Sequence, residues 1–68
     1  MVKIHINTEY ITLSQFLKLA NLVGSGGEAK FFLLNNKVLI NSIEDNRRGK
    51  KIYKNDNLEV LGVKYTIC

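Results

Sequence analysis

The segment Asn46-Arg47-Arg48-Gly49-Lys50-Lys51 places four cationic side chains in five consecutive positions. These charges repel one another, which destabilises the folded chain unless an anion lies nearby. Arginine offers planar paired donors to phosphate, lysine offers a flexible point charge, and Gly49 allows a backbone to approach closely. The run therefore predicts a basic loop that binds a phosphate backbone. A solvated surface loop is the alternative interpretation.

The glycine-rich segment from Gly24 to Lys30 (GSGGEAK) has the composition of a nucleotide-binding loop but not its context. A dinucleotide fingerprint follows a strand, and here a helical pattern precedes the glycines. A phosphate loop needs glycine before its lysine and serine or threonine after it, whereas Lys30 lies between alanine and phenylalanine. Ser25 and Glu28 instead have the spacing of a capping box. Free N–H groups at such a helix start can also hold a phosphate.

Residues that could support catalysis or metal binding are few. His5 is the only histidine, and the sequence places no serine or cysteine beside it. Cys68 is the only cysteine; we expect it at a mobile terminus, where one ligand cannot make a metal site. Tyr10, Tyr53 and Tyr65 could stack on bases, although packing is the interpretation we favour. We therefore expect no enzyme activity, no cofactor and no small-molecule substrate.

The composition is that of one small basic domain. The chain has 68 residues, 46% of them hydrophobic, so we expect a single domain over residues 1–68. Ten Lys and Arg against six Asp and Glu give a net charge of +4, which favours a polyanionic partner. A single cysteine and the lack of a long apolar run predict a cytoplasmic protein without a membrane span.

The first half of the chain predicts a strand followed by two helices. Val2, Ile4 and Ile6 alternate with polar residues, which is the period of a strand. Thr12 and Gln15 form a capping box at the start of a helix, and Gly24 is placed to end that helix in the left-handed conformation.

The second helix, from Ser25 through about Asn35, is apolar nearly all round, with Phe31 and Leu34 widening its apolar surface. We expect it to be largely buried. A helix-turn-helix that reads DNA is therefore disfavoured, because its second helix must be exposed and polar.

The second half predicts short strands around a polar loop. Val38 and Ile40 form a strand that ends at Asn41-Ser42, and residues 44–51 form the charged loop. Residues 58–61 and 63–67 flank Gly62 as a tight hairpin. Strand, helix, helix and further strands make an α+β domain.

Four stretches in this order resemble the YaaA-type single-domain proteins of bacteria, which belong to the wider RNA-binding family named after ribosomal protein S-four. They are residues 11–18 (ITLSQFLK), 25–30 (SGGEAK), 38–41 (VLIN) and 45–51 (DNRRGKK). The resemblance implies an S-four-like fold of two helices packed on a small bent antiparallel sheet. The family commonly has Asn-Gly where this chain has Asn41-Ser42, and Gly-Asp where it has Asn55-Asp56.

The resemblance also implies a function and a site. The expected function is recognition of structured RNA, ribosomal RNA above all, by phosphate and shape contacts, with a role in ribosome assembly or association. The expected partners are RNA or ribosomal subunits, bound by a monomer and without a membrane. A protein-interaction adaptor whose basic face docks an acidic partner is the alternative. The implied RNA-binding residues are Thr12, Gln15, Lys18, Ser25, Gly26, Gly27, Lys30, Asn41, Asn46, Arg47, Arg48, Gly49, Lys50 and Lys51.

Overall fold

The computed structural model describes residues 1–68 and contains two helices and seven short strands. In chain order the elements are β1 (Val2–Ile4), β2 (Tyr10–Thr12), α1 (Leu13–Leu19), α2 (Gly26–Asn35), β3 (Val38–Ile40), β4 (Ile43–Glu44), β5 (Lys51–Tyr53), β6 (Asn57–Val60) and β7 (Val63–Ile67).

The strands form two separate sheets. Five of them make a mixed sheet in the order β1-β7-β6-β3-β4, and β2 pairs with β5 in a two-stranded antiparallel ribbon. The predicted α+β fold, with two helices and a small sheet, is confirmed. One pair differs from the expected antiparallel arrangement, because β1 runs parallel to β7. A parallel partner cannot come from a tight hairpin, so β1 pairs with a strand from the far end of the sequence.

A single cluster of thirteen buried apolar residues lies between the helices and the sheets. Alternate residues of the strands supply one side of it, as the period of a half-buried strand requires. Phe16 of α1 is fully buried and meets the ring of Tyr65 edge-on, with the ring centroids 5.2 Å apart. The predicted packing role of Tyr65 is therefore confirmed.

Helix α1 begins as predicted but ends earlier. Thr12 Oγ1 accepts from the N–H of Gln15 at 3.2 Å, and Gln15 Oε1 accepts from the N–H of Thr12 at 2.8 Å. The predicted stop at Gly24 is wrong, because Asn21 adopts the left-handed conformation (φ 58°) directly after the helix. The N–H of Leu22 then donates to the carbonyl of Leu17 at 2.9 Å, as in a Schellman motif.

Helix α2 begins at the predicted cap, with Ser25 Oγ accepting from the N–H of Glu28 at 3.3 Å. The prediction that α2 is largely buried is wrong. Phe31 and Leu34 are 64% and 68% exposed, while only Ala29 and Leu33 are buried. The helix therefore presents two large apolar side chains to solvent. Neither helix of the chain is long and apolar enough to cross a membrane.

Two tight turns with positive φ angles join antiparallel strands. Asn41 (φ 50°) and Ser42 (φ 71°) connect β3 to β4, and Leu61 (φ 52°) and Gly62 (φ 78°) connect β6 to β7. Both turns have the sign pattern of type I′, which matches the twist of the strands that it joins. The predicted hairpin around Gly62 is confirmed.

The prediction that residues 44–51 form one loop is wrong at both ends. Glu44 belongs to β4, and Lys51 begins β5. The sequence did not predict these strands because they have only two and three residues. Ile52, which is fully buried, is the only core residue in β5.

Candidate nucleic-acid interface

The basic loop, residues 46–50, is shaped by the carboxylate that precedes it. Asp45 Oδ1 accepts from the backbone N–H of Arg47 at 2.9 Å, and the Arg47 Nη2 donates to Asp45 Oδ2 at 2.7 Å. The N–H of Lys50 donates to the carbonyl of Arg47 at 3.1 Å, which closes a turn with Arg48 and Gly49 at its tip. The loop therefore has a defined backbone conformation, with its cationic side chains outside.

The Asp45–Arg47 pair also shifts the pKa of both side chains. The side-chain hydrogen bond from Arg47 lowers the pKa of Asp45 from its ordinary 3.8 to about 2, against the opposing effect of burial. The carboxylate in turn raises the pKa of Arg47. It is the only salt bridge in the structure, so the charge of Arg47 is partly compensated, whereas Arg48 and Lys50 have no acidic partner within 4 Å.

The basic loop is fixed to the start of α1. The N–H of Leu13 donates to the carbonyl of Lys50 at 2.8 Å, and the N–H of Ser14 donates to the carbonyl of Arg48 at 3.0 Å. A helix start ordinarily leaves such donors without partners. Here the loop carbonyls accept from the N–H groups of Leu13 and Ser14, and Thr12 Oγ1 accepts from that of Gln15. These three backbone donors are therefore not available to a phosphate.

The start of α2 differs from that of α1, because two of its backbone N–H groups are free. The N–H groups of Gly26 and Gly27 have no acceptor within the chain. The reciprocal half of the predicted second capping box is displaced by one residue, because Glu28 accepts from the N–H of Gly24 at 3.1 Å instead of that of Ser25. The backbone of α2 therefore keeps two donors that an anion can use.

The cations of the basic loop face two different depressions of the surface. Arg48 and Asn46 lie against α2, in what we call the helical depression, which is lined by Lys30, Leu33, Leu34, Asn46 and Arg48. Arg47 and Lys50, together with Lys51 at the start of β5, lie in a separate hollow that we call the ribbon depression, which is lined by Ile40, Asn41, Ile43, Asp45, Arg47, Lys50, Lys51, Tyr53 and Asp56. The loop thus supplies cations to two surfaces.

The structure brings some predicted site residues together and gives others an internal role. Lys30, Asn46 and Arg48 meet in the helical depression. Thr12, Gln15 and Ser25 use their side-chain oxygens in caps. Lys18 is exposed in the last turn of α1, at the end opposite to the contact with the loop.

Asn41, another predicted site residue, is engaged at the turn between β3 and β4. Its Oδ1 accepts from the N–H of Asn57 at 3.0 Å, and its Nδ2 donates to Asp56 Oδ1 at 3.1 Å. These bonds connect the start of β6 to the left-handed turn. The side chain of Asn41 therefore has a structural function that the sequence did not reveal.

Tyr53 lines the ribbon depression, and its partner across the ribbon is Tyr10. Tyr10 and Tyr53 face each other across the ribbon with ring centroids 5.7 Å apart, and they are 37% and 42% exposed. The interpretation of tyrosines as packing residues thus fits Tyr65 better than these two. Their alternating positions in β2 and β5 could have placed them on one face, but neither strand was predicted.

Residues outside these surfaces offer little chemistry. No group of three or more His, Cys, Asp or Glu side chains is placed to hold a metal ion. The prediction that Cys68 lies at a mobile terminus is wrong, because its N–H donates to the carbonyl of Ile4 and its carbonyl accepts from the N–H of Ile6, both at 2.9 Å.

Comparison with known proteins gives a match to a family model and to a named relative. The family model described as "S4 domain" matches residues 4–68, nearly the whole chain. The probable ribosome maturation protein RlbA of Bacillus subtilis (strain 168) is 56% identical over 59 residues, which cover 87% of this chain and 83% of the relative. No solved structure gives a significant match.

Proposed function

The chain belongs to the S4 domain family, and from this premise we propose that it binds structured RNA, with ribosomal RNA as the expected target, during ribosome assembly or association. The name of the Bacillus subtilis relative, a probable ribosome maturation protein, supports the ribosomal part of this proposal. The observation that carries the RNA part is the helical depression, where Lys30 of α2 and Arg48 of the basic loop line one surface that contains no acidic side chain.

In the proposed mechanism, the helical depression contacts the RNA backbone. Lys30 and Arg48 neutralise phosphates, and the Asn46 amide and the free N–H groups of Gly26 and Gly27 donate hydrogen bonds. An A-form helix has a deep, narrow major groove, so recognition depends on shape, minor groove and phosphates.

The same proposal takes residues 1–68 as one RNA-binding domain that acts as a monomer in the cytoplasm, without a catalytic step. The single core cluster, to which both helices and both sheets contribute, supports one folding unit.

A salt titration tests the proposal. The affinity for a ribosomal RNA fragment should fall linearly with salt on logarithmic axes, because bound cations release counterions from phosphates. In the Lys30→Ala/Arg48→Ala variant, the slope should be smaller by roughly 1.4 to 1.8, since each of the two lost phosphate contacts contributes roughly 0.7 to 0.9. Fluorescence anisotropy with a labelled RNA measures both quantities.

Lys3→Ala/Lys64→Ala is the charge-matched control. These lysines lie on β1 and β7, which β6 and β3 separate from β4 in the mixed sheet, and neither lines the helical depression. The control should bind nearly as well as the unaltered protein. An affinity that does not change with salt, or an equal loss in both double variants, would contradict the proposal.

The adaptor that docks an acidic protein is a second candidate, favoured by one observation. Phe31 and Leu34 expose apolar surface on α2 beside Lys30, and protein interfaces combine apolar centres with charged rims. Co-purification with and without RNase distinguishes the two candidates. Protein partners that remain after RNase treatment favour the adaptor, whereas sedimentation with ribosomal subunits that is lost at high salt favours RNA.

A further inference from the structure

The ribbon depression combines cations with exposed apolar and aromatic side chains. It is an open hollow of about 340 Å³ between β4 and β5, near the lower limit of ligand sites (about 300–1,000 Å³). We propose that it binds one unpaired nucleotide of RNA, with the base against Tyr53 and Ile43 and the phosphate at Lys50 and Lys51. This inference rests on the proposed function, and it specifies which kind of RNA element the ribbon depression binds.

The aromatic part of the site is held in place before any ligand arrives. Tyr10 and Tyr53 are directly opposite in the ribbon, and their rings are 5.7 Å apart at an angle of 50°. Tyr53 is 42% exposed, and Ile43 across the depression is 70% exposed. Every base has a flat π-face, so an aromatic ring of this kind binds unpaired bases of any sequence.

The cations lie where the phosphate of such a nucleotide would be. Lys50 and Lys51 line the depression together with Tyr53, and Lys51 Nζ is 4.9 Å from the centroid of the Tyr10 ring. Arg47 also lines it, but its guanidinium is paired with Asp45. Lys50 and Lys51 are therefore the cations of this surface that have no acidic partner within 4 Å.

The polar groups opposite these cations are already engaged. Asp56 Oδ2 accepts from the N–H of Tyr53 at 2.8 Å, and Asp56 Oδ1 accepts from the Asn41 amide at 3.1 Å. Asn41 Oδ1 is used by the N–H of Asn57. Asp56 and Asn41 are thus committed to bonds within the chain, and stacking on an aromatic ring tolerates any base, so the site should select for an unpaired base but not for its identity.

Two RNA probes that differ only in an unpaired end test this inference. One is a blunt hairpin of about ten base pairs, closed by a non-nucleotide linker so that it contains no unpaired base. The other is the same hairpin with about four unpaired 3′ uridines, which adds bases that can stack. The unaltered protein should bind the extended hairpin about tenfold more tightly than the blunt one, because stacking of a single base on an aromatic ring supplies a factor of this order. An extension of adenosines should give at least the same gain.

Variants assign the gain to the ribbon depression. Tyr53→Ala should abolish the tenfold gain and keep the affinity for the blunt hairpin, whereas Tyr53→Phe should retain both. Ile43→Ser, at a more exposed position, should reduce the gain without the loss of the Tyr10–Tyr53 contact. Leu61→Ser is the matched control, because Leu61 is 63% exposed at the distant turn between β6 and β7.

The outcomes separate this inference from the proposed function. Equal affinity for the two hairpins, or a gain that survives both Tyr53→Ala and Ile43→Ser, overturns the nucleotide site and leaves the RNA-binding proposal intact. A surface that docks a protein would also give equal affinities. Failure to bind either hairpin and ribosomal RNA overturns both proposals.

Discussion

The guanidinium of Arg47 is held by the carboxylate of Asp45, with Arg47 Nη2 2.7 Å from Asp45 Oδ2 and Nε at 3.1 and 3.2 Å from the two oxygens. The two side chains differ in exposure, at 68% for Arg47 and 12% for Asp45. The Asp45 carboxylate thus holds the exposed guanidinium of Arg47 and also accepts from the backbone N–H of the same residue in the basic loop.

This pair predicts a pH dependence of stability. The pKa of Asp45 is lowered from 3.8 to about 2 in the folded chain, so the ionised carboxylate stabilises the fold above pH 4, and this contribution is lost as the pH falls from about 4 to 2. Because Arg47 is exposed to solvent, this contribution to the free energy of unfolding should be small. Asp45→Asn should lack this component when denaturant unfolding is measured at pH 4 and pH 2. Identical losses in both proteins would contradict the prediction.

Asn41→Gly should lower stability and leave RNA affinity unchanged. Glycine tolerates the positive φ of this position, so the variant isolates the loss of the bonds to Asn57 and Asp56. We expect a cost of about 1–2 kcal/mol in denaturant unfolding. The affinity, measured well below the melting temperature, should match that of the unaltered protein. A tenfold loss of affinity would instead support the RNA contact implied for Asn41 by the family resemblance.

Ser42→Gly should stabilise the protein. Ser42 has a φ of 71° in the turn between β3 and β4, and a side chain in the left-handed region costs roughly 1–2 kcal/mol, partly offset by the greater unfolded-state entropy of glycine. We expect a gain of about 0.5–1 kcal/mol, seen as a rise in melting temperature. Ser42→Ala is the control and should give no gain. If alanine and glycine stabilise equally, the backbone conformation is not the cause.

Gly49→Ala separates a folding requirement from a binding requirement. A Cβ at Gly49 would meet no atom within 4 Å, and its φ lies outside the left-handed range, so stability should change by less than about 0.5 kcal/mol. RNA affinity should fall several-fold if a phosphate backbone approaches this turn, as anisotropy would show. Gly62→Ala provides the contrast: its surroundings are equally open, but its φ is 78°. That variant should lose stability and keep its affinity.

Features determined by nearby residues could be predicted from the sequence. The capping box of Thr12 and Gln15 and the hairpin around Gly62 depend on side chains and φ preferences within a few positions, and both are present. The left-handed stop of α1 was assigned to Gly24 because glycine is the usual residue there. Asn21 takes that position instead, since asparagine tolerates the conformation and follows the C-cap residue Ala20.

Features determined by distant segments could not be predicted. The parallel pairing of β1 with β7 joins opposite ends of the sequence, and β5 contributes only Ile52 to the core. The exposure of Phe31 and Leu34 depends on which elements pack on α2, and the periodicity of the sequence does not contain that information. The division of the cations between two depressions likewise depends on tertiary packing, so the basic run could not predict it. The contact of Asp45 with the backbone of Arg47, by contrast, spans only two residues, which is the reach of an Asx turn.

The first turn of α1 donates hydrogen bonds to the carbonyls of Arg48 and Lys50, so the basic loop becomes ordered when the chain folds. A free loop of this kind would lose roughly 1–2 kcal/mol of backbone entropy per residue when it became fixed on a ligand. Here that loss is incurred when the helix forms, and a polyanion meets a loop whose backbone is already immobile. Residues that never touch the ligand, such as those that start α1, can therefore tune affinity through the rigidity of the loop.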